Sequence, residues 1–449
     1  MILTIEIYAI DNRFQLVHVA LVSRIWPLPV VAIAALSAPL HADPMPSTPF
    51  TLRFGGYGEL GASLYNFGAN ANRANGAQRD LRLELDATRF VATVQAATKS
   101  GWELEAELEI EHGGTGSSRE IDYDEFGEFE TELEKGGEVQ LEELYLEKTF
   151  AGRYQLKVGK FYVGIGHLSS RFRPTEYLAA TRSEMEQTVI PGQWDEMGAS
   201  FTAFLGRVRV TAQVVNGLDS TGFSSSGWIS TGHQAAYETI RATNLAGVVR
   251  ADVEVAHGLE LGAAGYAGGT SRNRPKADLV ISCADGNPDV VAPCGYVSAP
   301  VTLAEVHGHL ERNHVRATAL ALWGRLGNSD LITDRNKRLS NNAGVARTPV
   351  ASQAYGLSLE AGVDIGSWVG LCPRYALEPF ARVERYDTMY RTAPGVFDNA
   401  RFQRTVGTVG AAFTIDKFLT FKLDVAHRRL GASELRPETT VHAVAGFIY

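Results

Sequence analysis

The chain has 449 residues, 45% hydrophobic and 21% charged, with 45 glycines and a formal net charge of −9. No apolar run reaches the roughly 18 residues of a membrane helix, and no CxxC pair supports zinc or thioredoxin chemistry. The length suits two or three soluble domains or one large barrel, and a mean hydropathy near zero leaves the barrel open, because a transmembrane strand needs only about 9–11 residues.

The opening segment differs from the rest. Arg24 is followed by an apolar run over 25–36 and then by Ser37-Ala38-Pro39-Leu40-His41-Ala42. This order predicts a secretory signal over 1–42, cleaved after Ala42, and a short lead at 43–49. Export fits the cysteines: Cys283 and Cys294 share one polar stretch and would close a small disulfide loop, while Cys372 is left over.

Strand patterns begin at Phe50. The clearest is 102–112, where Trp102, Leu104, Ala106, Leu108 and Ile110 alternate with Glu103, Glu105, Glu107, Glu109 and Glu111. Side chains of a strand alternate between faces, so one side is hydrocarbon and the other a row of carboxylates. In chain order, strands are expected at 50–66, 81–97, 102–112, 138–150, 153–164, 194–205, 207–216 and 244–256. They continue at 259–268, 301–311, 314–326, 354–365, 375–387, 402–415, 418–428 and 439–449. In 138–150 the apolar phase changes between Leu141 and Leu144, which predicts a bulge near Glu142-Glu143.

Long loops alternate with short turns along this series. An all-β fold accounts for that: a transmembrane antiparallel β-barrel of about 16 strands, with short periplasmic turns and long extracellular loops. A soluble sandwich or propeller gives no reason for the alternation. Val315, Ala317, Ala319, Ala321 and Trp323 read as one lipid-facing row. Trp102, Phe150, Tyr154, Phe204, Phe418 and Tyr449 gather at the periplasmic strand ends as an interfacial girdle.

A barrel this wide encloses an aqueous lumen, so function is expected on the inward faces. The pore-lining candidates are the five glutamates above with Lys157, Arg207, Arg209, Arg250, Arg316, Arg382 and Glu384. Facing charges of this kind set selectivity in pores. The loop 166–193, with Arg171, Arg173, Arg182, Glu184 and Glu186, is expected to fold inward as a constriction, pinned by Val189-Ile190-Pro191.

Other motifs carry less. Gly56-Tyr57-Gly58-Glu59-Leu60-Gly61 matches GxGxxG but lies inside a strand, without the strand-turn-helix context of a dinucleotide site. Glu305, His307, His309 and Glu311 share a face near His314, and they read as hydrated lumen residues before they read as zinc ligands. The acidic loop 120–134 lacks the ligand spacing of an EF-hand. No Ser–His pair stands out, so neither catalysis, cofactor nor resident metal is expected.

Several stretches resemble the phosphate-selective porin O and P family of Gram-negative outer-membrane channels. They are Gly-Tyr-Gly-Glu-Leu at 56–60, Glu-Leu-Glu-Ile-Glu-His at 107–112 and Gly-Glu-Val-Gln-Leu-Glu-Glu-Leu-Tyr-Leu at 137–146. Further on come 158–166 with Glu176, Val-Ile-Pro-Gly-Gln-Trp at 189–194, Val-Asn-Gly-Leu-Asp at 215–219 and Val-Glu-Arg-Tyr-Asp-Thr at 383–388. The resemblance implies a sixteen-stranded outer-membrane porin, often a homotrimer, in which arginines and a lysine cluster select phosphate. The expectation is diffusion of small hydrophilic, charged solutes, with anions such as phosphate as the finer reading. The implied partners are outer-membrane lipid, lipopolysaccharide and the barrel-assembly machinery, and nucleic acid is not among them. The alternative is a non-conducting outer-membrane barrel with a structural or adhesion role.

Overall fold

Sixteen strands hydrogen-bond in chain order, and the last closes onto the first. The computed structural model describes residues 50–67, 80–114, 120–121, 131–132, 138–234, 240, 242–271, 280–281, 295–296, 298–336 and 348–449. The expected signal over 1–42, the lead at 43–49, Cys283, Cys294 and most of the acidic loop lie outside the described residues.

The first eight strands are β1 (Phe50–Phe67), β2 (Asp80–Thr98), β3 (Trp102–Glu111), β4 (Glu138–Phe150), β5 (Tyr154–Tyr162), β6 (Asp195–Leu205), β7 (Val208–Asn216) and β8 (Leu245–Ala256). The second eight are β9 (Leu259–Gly269), β10 (Pro300–Arg312), β11 (Val315–Leu326), β12 (Gln353–Val363), β13 (Tyr375–Arg391), β14 (Gln403–Ile415), β15 (Leu419–Leu430) and β16 (Glu438–Ile448). Every ladder is antiparallel, and closure runs from Tyr57 opposite Ile448 to Asn66 opposite Thr439. With no free edge, every strand finds its backbone partners in its neighbours, which is the condition for crossing a bilayer. No described helix is long and apolar enough to cross; the strands do so.

The short turns follow from local chemistry. Between β8 and β9, Gly258 sits at φ +74°, and a Cβ there would lie 2.1 Å from the Glu311 carbonyl oxygen. Only glycine fits both the left-handed backbone and the close neighbour. The expected bulge is present: Glu143 stands opposite Glu107 and Leu141 opposite Leu108, leaving Glu142 as the extra residue. Glu142 and Glu143 are consecutive in sequence, yet both are buried inside the barrel. A second irregularity lies in β2, where the exposed apolar phase changes from Leu81, Leu83 and Leu85 to Phe90 and Val94. Glu59 pairs with Arg89 but Gly61 pairs with Asp86, and this shift sets a carboxylate and a guanidinium side by side on the inner wall.

The outer face carries exposed Leu, Val and Phe, among them Phe54, Leu85, Val249, Leu359 and Leu423. A continuous apolar exterior of this size is a lipid-contacting surface.

The inner face is less polar than a water-filled lumen requires. Toward the extracellular ends of β7 to β14 it carries Val215, Val248, Tyr266, Leu303, Leu322 and Val406, all buried. Loop residues cover them: Leu218, Phe223, Trp228 and Ile229, then Ile332 of helix α2 (Ser329–Asn336), then Val350 and Ala351. Trp228 donates Nε1–H to the Ala351 carbonyl at 3.1 Å. Its ring lies over Gly324, where a Cβ would come within 2.1 Å of it. The expectation of a wide aqueous lumen is therefore corrected on this side, which is packed as a hydrophobic core.

Candidate functional site

The segment 163–194 leaves β5 and returns to β6. Its ends meet, since the Val163 N–H donates to the Trp194 carbonyl at 2.7 Å. Between them the chain turns into the barrel and contains one helix, α1 (Glu184–Val189), with Ser183 as its N-cap. Ser183 Oγ accepts from the Glu186 N–H at 3.1 Å, as a capping serine does. The apolar side of α1 buries Met185 and Val189, and Ile190 follows them into the core.

Wall side chains hold the loop backbone with opposite charges in alternation. Carboxylates accept its N–H groups: Glu360 from Leu178 at 2.9 Å, Asp424 from Ala180 at 2.6 Å and Glu384 from Met185 at 3.1 Å. Cations donate to its carbonyls: Arg250 to Gly166 at 2.8 Å, Arg316 to Thr175 at 2.6 Å, Lys422 to Ala179 at 2.9 Å and Arg382 to Thr181 at 2.8 Å. Charged partners make hydrogen bonds roughly twice as strong as neutral ones. The loop is therefore bound to β8, β11, β12, β13 and β15.

It also reaches the opposite wall. Arg182 donates to Tyr57 Oη at 3.3 Å and to the Phe172 carbonyl at 3.0 Å, and it meets Gln193. Gln193 accepts from Arg89 at 2.6 Å and donates to Glu142 at 3.2 Å. Tyr177 donates to Glu59. The segment thus crosses the interior from the basic strands to the acidic ones.

The expected pore-lining residues separate into three groups. Arg250, Arg316, Arg382 and Glu384 hold the loop, as above. Arg209 is paired with Asp252 at 3.1 Å, and Arg171 of the loop with Glu260 at 3.1 Å. Arg207 sits exposed in the turn between β6 and β7, one residue before β7 begins, and its carbonyl accepts from the Glu254 N–H of β8 at 3.0 Å. Arg173 is exposed, and its backbone N–H donates to Glu176 at 2.9 Å.

The third group is the acidic wall of β3 and β4. Glu103 and Glu105 are half-buried and accept from Gln95 at 2.7 and 3.2 Å. Glu107 accepts from Thr93 at 3.0 Å and from Tyr162 at 2.9 Å. Glu109 and Glu111 face Arg89 at 3.0 and 3.4 Å. Lys157 stands 3.6 Å over the Tyr145 ring. Carboxylate oxygens of Glu105, Glu107 and Glu143 lie within 4.8 Å of one another, close enough for one cation to touch all three. The acid–histidine strand behaves differently: His307 bonds Asp252 at 2.8 Å and Glu305 at 3.2 Å, while His309 turns toward Glu311 at 3.8 Å.

Two glutamates of α1 have opposite environments. Burial pushes Glu184 up, but Arg428 outweighs it through two bonds of 2.7 Å and holds the carboxyl down to about 2. Burial pushes Glu186 up to about 8, with the Leu168 N–H at 2.8 Å as its main counterweight.

Between the loop and β11 to β13 lies a cavity of about 40 Å³, lined by Arg171, Tyr177, Arg182, Glu186, Ser358 and Glu360 among others. That holds only a few waters. Near β4 to β7 a polar recess of about 280 Å³ is lined by Glu143, Glu147, Lys157, Tyr162 and Gln213.

Reading the sequence missed Arg89, Glu142, Gln193 and Asp424 as parts of this arrangement. Arg89 left a trace, because the extra residue of β2 between Asp86 and Arg89 changes the apolar phase of that strand and turns Arg89 inward.

No family model matches the chain. In sequence it is similar to an uncharacterised protein of Aquifex aeolicus (strain VF5), 23% identical over 224 residues, which is 49% of this chain and 45% of that protein. The match thus spans less than half of the relative's length. In structure it is similar to Salmonella typhi OmpF solved with daunomycin, with 11% identity and a TM-score of 0.50 over 90% of this chain and 98% of that one. The anion-selective porin of Comamonas acidovorans gives 9% identity and a TM-score of 0.49 over 89% of this chain and 100% of that one. At such identity the likeness is one of fold, a sixteen-stranded barrel of the outer-membrane porin type.

Proposed function

We propose that the chain is an outer-membrane channel of a Gram-negative cell that passes small hydrophilic solutes by diffusion through a tight constriction. The observation that carries this reading is the loop 163–194, bound across the lumen by charged groups from both walls. A loop held by so many directed bonds narrows a pore to a defined size, which an unstructured plug would not do. Assembly by the barrel machinery, contact with lipopolysaccharide and a homotrimeric state belong to the same proposal. It assigns no catalysis.

For selectivity, the reading departs from phosphate. Arg250, Arg316 and Arg382 are engaged by loop carbonyls and neighbouring acids, so their charge is compensated. The carboxylates of β3 and β4 outnumber the bases beside them, which favours cations in the recess they line. A planar-bilayer measurement of the refolded protein in a salt gradient tests this. Stepwise openings with a cation-directed reversal potential support it. Block by millimolar phosphate would restore the anion reading.

A second reading has its own support. The core around Trp228 fills much of the extracellular half, as a barrel with a structural or adhesion role would allow. A folded protein that shows no conductance and no liposome swelling would favour it.

A further inference from the structure

The outward wall carries charge that a lipid-facing surface does not call for. On β13, Arg385 stands opposite Thr405 of β14, and Thr405 stands opposite Arg429 of β15. All three are exposed, on the same face as the exposed Val383, Val409 and Val425. Neighbouring strands lie about 4.8 Å apart, so the two arginines sit about 10 Å apart on one row. Three acids near them have other partners. Glu384 holds the loop, Asp387 accepts the Met389 N–H at 2.8 Å, and Glu438 is bound by Arg428 at 2.6 Å. Asp387 lies within Coulombic reach of Arg385, but among the described residues no carboxylate lies within ion-pair distance of either guanidinium.

Height on the wall gives these charges meaning. Tyr375, stacked on Phe413 at 5.8 Å, belongs to the periplasmic aromatic level. Arg385 lies ten residues further along the same strand. At about 3.3 Å per residue and a tilt near 40°, that is about 25 Å, the height of the apolar band. Trp323 and Tyr355, paired across β11 and β12, mark the outer aromatic level just beside it. An arginine at mid-bilayer is costly, but at the outer interface it is nearly free and meets headgroups.

A second feature adjoins the row. An apolar trough of about 670 Å³ runs over the outside of β9 to β13, bordered by Leu261, Val306, Leu357, Leu359 and Val383, with Ala319 in its floor. Arg385 lines it too. A cationic pair beside an apolar trough matches an amphiphile with an anionic head. Guanidinium forks fit phosphate oxygens, and the Thr405 hydroxyl between them can donate as well.

We propose that Arg385, Thr405 and Arg429 bind the phosphate headgroup of an anionic outer-leaflet lipid whose acyl chain lies in the trough beside Arg385. This rests on the outer-membrane reading, but not on conductance. The site selects lipid by phosphate charge and by a tail that shields the small side chains of β11.

The test is native mass spectrometry of the refolded full chain in detergent with bisphosphorylated lipid A, with phosphatidylcholine, or with inorganic phosphate. The wild type should retain lipid A, and R385Q/R429Q should lose about tenfold in retention. Phosphatidylcholine and inorganic phosphate should leave no stable adduct. Ala319→Trp, which fills the trough without touching the charges, should also lower retention, and it decides the matter if the double variant does not fold. Equal retention by the variants overturns the proposal, and so does an equally stable adduct with inorganic phosphate. A changed subunit count with unchanged lipid would assign the row to a second copy instead. Both arginines point away from the lumen, so single-channel conductance should be unaltered in R385Q/R429Q. A protein that never conducts would fail the channel reading while leaving lipid retention measurable.

Discussion

Arg428 grips Glu184 through two parallel bonds of 2.7 Å, and with its remaining nitrogen it reaches Glu438 at 2.6 Å. One guanidinium on β15 thus fastens the first turn of the loop helix to the last strand of the barrel. Replacing it with glutamine keeps some bulk and removes the charge. R428Q should release the N-terminal half of α1, raising single-channel conductance and its noise. The stability loss should be about 1.5–3 kcal/mol, the usual range for a hydrogen bond to a charged group. Conductance traces and urea unfolding in lipid would check both.

The two glutamates of α1 set a pH window for docking. Glu184 titrates below its ordinary value of 4.5, so its contribution is present above about 4.5 and is lost as pH falls through about 2. Glu186 titrates above that value, so the docked loop keeps a proton that the free loop gives up. Its docking weakens as pH rises from 4.5 through about 8. Conductance should therefore be lowest near pH 4 to 5 and rise on both sides. Glu186→Gln retains an acceptor for the Leu168 N–H and should abolish the alkaline rise alone. A rise that survives in this variant would remove Glu186 from the account.

Trp228 is fully buried over Gly324. Trp228→Ala should cost about 3–5 kcal/mol if the core around it is continuous with the barrel wall. G324A should act in the same direction, because its new methyl meets the indole ring. Red-shifted tryptophan emission in G324A, with lowered thermal stability, is the expected signature.

The acidic wall can be neutralised without disturbing the loop. Glu103 accepts from Gln95, and Glu105 from Gln95 with the Tyr145 hydroxyl beside it; these partners lie on the barrel wall, so E103Q/E105Q should fold normally. The cation preference should fall severalfold in reversal-potential measurements. An unchanged ratio would move selectivity to the loop itself.

Much of the architecture was legible because its cause is local. The run from Trp102 to Glu111 states its own two faces, and the phase change in β4 located Glu142 as a bulge before any pairing was known. The turns announced themselves through Gly258 and similar residues. What the pattern could not give was the destination of the inward side chains. Arg250 and Arg382 look alike whether they meet solute or a loop carbonyl, since that depends on a segment 84 and 201 residues away. The apolar half of the lumen had left one mark. From Ala317 to Trp323 polar residues nearly vanish, with Leu320 and Leu322 buried inside and Ala319 and Trp323 outside. A strand apolar on both faces is covered on both. The register irregularity that pairs Glu59 with Arg89 left a mark as well, a change of apolar phase within β2 from Leu81, Leu83 and Leu85 to Phe90 and Val94, which the strand expected over 81–97 passed over.

The loop ends described above are joined by a single bond between Val163 and Trp194, directly continuing the pairing of Tyr162 with Asp195. In topological terms the thirty residues between them, 164 to 193, form a graft on an otherwise ordinary hairpin. The cylinder can zip shut, strand by strand, before that graft finds its seat. Bore and scaffold are therefore separable: the wall can be made first, and its aperture set afterwards by how the inserted segment settles.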